Sequence, residues 1–105
     1  MDIVKPKLNN HIGILICGHG SRNKLSIDEF KKLKEFIQNK FIPFKVEYGF
    51  LEFAKPSLVD GLDKLRRNSV QKVIAIPAML FAAGHVKNDI PSLLLKYAKE
   101  NEIEI

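Results

Sequence analysis

One cysteine, no long apolar run and no arginine-rich stretch set the first limits on this chain of 105 residues. The lone Cys17 lies inside an apolar segment, so a disulfide framework is excluded and a reducing, cytoplasmic setting is expected. No segment approaches the ~20 apolar residues that span a bilayer, so a membrane is not an expected partner. The opening M-D-I-V-K-P-K-L-N-N lacks the apolar core and small-residue cleavage site of a signal peptide. Lys and Arg number 17 against 12 Asp and Glu, a net charge of +5 that favours an anionic partner. That excess is spread along the chain, with few exposed aromatics to stack bases, and nucleic acid is therefore not expected. Neither G-x-x-x-x-G-K-[ST] nor G-x-G-x-x-G follows the first apolar run, which argues against a nucleotide phosphate cradle. Repeats and low-complexity segments are absent as well.

What is present fits one domain of ordinary soluble composition, 46% apolar and 28% charged. Residues 1–11 read as a polar lead-in, and 12–105 as a single α/β domain. The stretch from Ile12 to Arg22 organises the rest: Ile14, Leu15, Ile16 and Cys17 form a short buried strand that breaks into Gly18-His19-Gly20-Ser21-Arg22. Ser26 and Glu29 match a capping box, and Ile27, Phe30, Leu33, Phe36 and Ile37 recur at helical spacing up to about Asn39. Phe44 to Phe50 alternates as a second strand. Ser57 with Asp60 repeats the capping pattern ahead of a helix whose buried stripe is Leu58, Gly61 or Leu62, and Leu65. Lys72 to Pro77 reads as a third strand covered on both faces. Asp89 and Pro91 mark a third helix start, and Glu102 to Ile105 opens a fourth strand. Strands alternating with helices imply βαβ units, hence a three-layer α/β sandwich with a parallel sheet.

Three polar residues fall just past successive strand ends: His19, Glu52 and His85. In a parallel sheet those loops share one edge, where ligands of open α/β sheets bind. Two imidazoles and a carboxylate suit a borderline divalent ion such as Co²⁺, Ni²⁺, Fe²⁺ or Zn²⁺. The segment from Pro77 to Gly84 is apolar or small throughout and can line a pocket for a large flat molecule. Plainer readings stand beside these. His19 can cap a polar turn, His85 can pair with the helix start at Asp89, and Glu52 can be a surface acid. His11 precedes the first strand, at the opposite edge, and is read as solvated.

G-H-G-S-R, F-L-E-F-A-K-P-S and P-A-M-L-F-A-A-G-H-V-K-N-D-I-P, in that order across residues 12–98, resemble the class II chelatases. These are the sirohydrochlorin cobaltochelatases and ferrochelatases, with a related nickel chelatase. The resemblance implies a chelatase-like fold and insertion of Co, Fe or Ni into a sirohydrochlorin-type tetrapyrrole. It implies that His19 and His85 act in catalysis and that His19, Glu52 and His85 hold the metal. Gly20, Ser21, Arg22, Ala83 and Gly84 are then expected to contact the macrocycle. The metal enters as a substrate, no organic cofactor is expected, and short members pair as homodimers. Short members also continue past the fourth strand, whereas this chain stops at Ile105 within it, so a truncated chain or one half of something larger is expected. Two rival readings use the same residues differently. One is a non-catalytic carrier of metal or tetrapyrrole, and the weaker one is a phosphate-binding α/β domain using G-H-G-S.

Overall fold

A computed structural model describes residues 11–20, 24–78 and 89–105. Strand β1 (Ile12–Gly18), helix α1 (Lys24–Lys40), β2 (Lys45–Phe50), α2 (Leu58–Arg67), β3 (Lys72–Pro77) and α3 (Asp89–Asn101) follow one another in strict alternation. The three strands form one parallel sheet in the order β2-β1-β3. The connection from β1 to β2 runs one way along the sheet, and that from β2 to β3 runs back past β1. Right-handed crossovers in opposite directions must lie on opposite faces, so α1 covers one face and α2 the other. The order also reverses between β1 and β3, and such a switch opens a crevice beyond the strands' carboxyl ends.

Burial follows this layering. On one face Leu15, Cys17 and Val73 pack with Leu58, Leu62 and Leu65 of α2 and with Ile90, Leu94 and Tyr97 of α3. On the other, Ile14, Ile16 and Val46 meet Phe30, Leu33 and Ile37 of α1. Leu15, Ile16 and Leu62 are wholly enclosed, and full burial of such a side chain stabilises by roughly 1.5–3 kcal/mol. Across 34 positions, Tyr97 donates its hydroxyl to Asp63 at 2.5 Å and ties α3 to α2.

The start of α2 matches expectation closely. Ser57 Oγ accepts from the Asp60 amide, and the Asp60 carboxylate accepts from the Ser57 amide, each at 3.0 Å. Ser57 also bridges back to Phe50, and a Cβ on Gly49 would lie 2.5 Å from the Ser57 carbonyl oxygen. That close approach fixes the second helix against the end of β2.

Two expectations need correction. Helix α1 begins at Lys24, so Ser26 is inside the first turn and is not its cap. The S-x-x-E spacing that marks a capping box is also simply an i, i+3 pair on a helix, and here it is the latter. Strand β3 is covered on one face only in part: Ile74, on the α1 side, is 44% exposed. Helix α1 packs over β1 and β2 and does not reach across the third strand. The other edge of β3 takes up the chain end, with Lys72 and Glu104 in parallel bridge and the Val73 amide donating to the Glu104 carbonyl at 2.8 Å. Of the fourth strand expected over Glu102 to Ile105, the structure shows a single bridge at Glu104, while Glu102 is a turn residue with φ +54° and the sheet keeps three strands. Among the described residues, no helix is long and apolar enough to cross a membrane.

Candidate functional site

The loop at the carboxyl end of β1 carries His19. Gly18 ends the strand, and the backbone ladder then continues one step past the regular sheet. The Leu51 amide donates to the Gly18 carbonyl at 2.9 Å, and the Glu52 amide to the His19 carbonyl at 3.0 Å. The loops after β1 and β2 are thus held to each other by main chain rather than by chance contact of side chains.

Gly20 completes this junction. Its φ is +111°, and a Cβ added there would run into the backbone carbonyl of Glu52. Only a residue without a side chain lets the first loop lie so close to the second.

On that platform His19 Nε2 and Glu52 Oε1 stand 3.7 Å apart, with side chains 32% and 49% exposed. Two ligand atoms at ~2.1 Å from one ion lie roughly 3.0–3.4 Å apart, between octahedral and tetrahedral angles. Small side-chain rotations would close that gap. Neither group is buried, so both keep lone pairs open to a ligand arriving from solvent. Among the described residues, no further His, Cys, Asp or Glu completes a group of three able to hold a metal.

The strand-end convergence inferred from the sequence therefore holds for His19 and Glu52. His85, Ser21, Arg22, Ala83 and Gly84 lie outside the described residues. His11, placed at the opposite edge, is exposed, with Nδ1 3.5 Å from the Ser69 carbonyl. At the start of α2 the capping box already uses the Ser57 and Asp60 amides, which leaves fewer donors there for an anion.

Sequence reading missed Phe53. It directly follows Glu52, has φ +67° and stands 54% exposed, with its ring centroid 6.4 Å from that of His19. Nothing local marks a phenylalanine for the left-handed region; the only signal was an exposed aromatic beside a candidate ligand.

Cys17, at the same strand end, plays a different part. Its Sγ donates to the Leu15 carbonyl at 3.6 Å, and burial pushes its pKa up from 9.0 to about 12. The nucleophilic and metal-binding form of a cysteine is the thiolate, so this side chain is packing material. Folded protein at pH 8 is expected to resist a thiol reagent such as dithionitrobenzoate, and unfolded protein to react at once. The same shift has a stability consequence. Stability is fully retained below the unfolded pKa of 9.0 and declines as pH rises towards about 12, since the unfolded thiol ionises first. Fast labelling of the native chain at pH 8 would place Cys17 at the surface.

A second concavity, about 590 Å³, lies along the outer edge of β2 between α1 and α2, away from His19. Its charges are largely spoken for: Lys34 and Lys64 reach Glu47 at 3.9 and 3.6 Å, and Asp60 and Asp63 serve the cap and Tyr97. We take the strand-end pair as the chemical centre, because it joins an imidazole and a carboxylate, both open to solvent, on loops after adjacent parallel strands.

Comparisons with known proteins identify the family. The chain is 30% identical over 79% of its length to a sirohydrochlorin cobaltochelatase of Methanopyrus kandleri, covering 58% of that protein. It is 31% identical over 93% of its length to one of Methanococcoides burtonii, covering 75% of it. Among solved structures, the sirohydrochlorin chelatase SirB of Bacillus subtilis subspecies spizizenii, in complex with cobalt, superposes with a TM-score of 0.77. That match has 27% identity and covers 88% of this chain and 39% of SirB. The chain thus spans 58% and 75% of these two relatives' lengths. The CbiX family model matches residues 13–105, from the second residue of β1 through the last residue, and the chain belongs to the CbiX family.

Proposed function

We propose that this chain is a sirohydrochlorin metal chelatase, inserting a divalent ion into the macrocycle at the carboxyl edge of its sheet. The observation that carries this reading is the pairing of His19 with Glu52 on loops locked together by main-chain hydrogen bonds. Family membership and the names of the relatives support it. Co²⁺ is the favoured metal on those names, with Fe²⁺ and Ni²⁺ accepting the same ligands.

The chemistry asks two things of a protein. An ion must be held loosely enough to be handed over, and two pyrrole N–H protons must leave as M²⁺ enters the ring. A neutral imidazole can do either task in turn, so His19 is assigned to hold the ion and, once the ion has passed to the ring, to accept one of the two protons, the other going to His85 or water. The Glu52 carboxylate offsets the ion's charge and keeps it beside His19. His85 is assigned as the second imidazole on its place in the sequence, in the segment that follows β3. An incomplete protein ligand set leaves positions for water and for the incoming pyrrole nitrogens. The substrate's carboxylates match a chain carrying an excess of five positive charges, with Arg22 and Lys24 near the site in sequence. Gly20, Ser21, Ala83 and Gly84 are assigned to the same macrocycle site.

One domain supplies a single wall for so broad a ligand, and sites for such ligands commonly lie between two walls. A homodimer is proposed on that ground. Purified chain incubated with sirohydrochlorin and Co²⁺ is expected to turn over many equivalents of macrocycle, followed by absorbance, with light scattering of the same sample giving two chains per particle. Stoichiometric binding without metallated product would favour the carrier reading. Full turnover by a monomer would remove the dimer.

A further inference from the structure

We propose that Phe53 positions the macrocycle, offering its ring as a stacking face beside the His19–Glu52 pair; this rests on the chelatase reading above. Three independent features meet at this residue. Its backbone is in the left-handed region, at φ +67°, which is sterically disfavoured for a bulky side chain. The residue is 54% exposed, so about half of its surface stays open to a ligand. It also adjoins the His19–Glu52 pair, with its ring 6.4 Å from the His19 imidazole and tilted 31° to it.

Disfavoured backbone at an exposed aromatic is the kind of local cost that persists at ligand-contacting sites. The left-handed turn at Phe53 is what keeps its ring near His19, directly after Glu52. Aromatic rings associate in offset or tilted arrangements at centroid distances of roughly 4.5–7 Å, and a flat conjugated tetrapyrrole is well suited to such a face. A pyrrole ring laid against Phe53 would bring the rim of the macrocycle alongside the ion held by its two neighbours. Phe53 forms no bond in this role; it sets where the plane of the substrate lies.

The competing role is internal: the ring could serve only to hold the His19 imidazole in place. Phe53→Gly separates the two, because glycine accepts the left-handed backbone and the loop is not otherwise altered. Metal-free sirohydrochlorin binding, read by quenching of its fluorescence, is expected to weaken on the order of tenfold in Phe53→Gly. KM for the macrocycle should rise with it, while Co²⁺ binding measured alone by calorimetry and kcat stay within about twofold. The melting temperature should not fall, and Phe53→Trp should restore tight macrocycle binding. Unchanged sirohydrochlorin binding in Phe53→Gly would overturn the proposal. So would a loss of Co²⁺ affinity matching the loss for the macrocycle, which would make the ring a support for His19 alone. The metal-free binding comparison remains decisive even if the wild-type chain proves unable to insert metal, an outcome that would instead remove the chelatase reading.

Discussion

Replacing His19 by alanine is expected to lower metal insertion by roughly 10²–10⁴-fold, the range for loss of a positioned proton acceptor, while leaving the melting temperature nearly unchanged. His19 is about one-third exposed on a loop, and its structural hydrogen bond to the second loop is made by its carbonyl, which alanine keeps. The substitution thus deletes the imidazole and little else. Glu52→Gln should be milder, about tenfold, since the amide preserves shape and one acceptor oxygen but no longer offsets the ion's charge. Turnover of both variants with sirohydrochlorin and Co²⁺ checks this order. Near wild-type turnover in His19→Ala would take the imidazole out of the site, and equal damage from the two would mean Glu52 has been given too small a part.

Gly20→Ala is expected to be damaging in a different way, lowering stability by roughly 2–4 kcal/mol and removing most activity. Two costs combine there. The φ of +111° is closed to a residue with a Cβ, and that Cβ would meet the Glu52 carbonyl, which is backbone and cannot rotate aside. The loops after β1 and β2 would have to separate, and His19 and Glu52 would separate with them. Urea unfolding measures the first effect and turnover the second. Wild-type stability in Gly20→Ala would show that the two loops do not lie as closely as described.

Much of this arrangement was legible because it follows from periodicity and local chemistry. The apolar run before Gly18 and the run from Lys72 to Pro77 fall where β1 and β3 lie, and the Ser57–Asp60 box caps the second helix as its spacing implies. The meeting of His19 and Glu52 was legible from topology, since parallel strands bring their following loops to one edge. What escaped depends on tertiary context. The start of α1 at Lys24 overrides a capping pattern that is also compatible with a helix interior. The exposure of Ile74 depends on how far α1 reaches across the sheet, which no local pattern states. The link from Tyr97 to Asp63 joins helices 34 positions apart, and the left-handed Phe53 is set by the loop it closes rather than by its own preference.

The central claim is that the ion to be inserted is first held at the carboxyl edge of the sheet by His19 with Glu52. X-ray absorption at the cobalt edge, on Co²⁺ bound to the wild-type chain and to His19→Ala before any macrocycle is added, addresses it directly. The account predicts a shell of nitrogen and oxygen ligands with the outer scattering of imidazole, weakened and bound with lower affinity when His19 is replaced. A cobalt shell and affinity identical in the two proteins would contradict it.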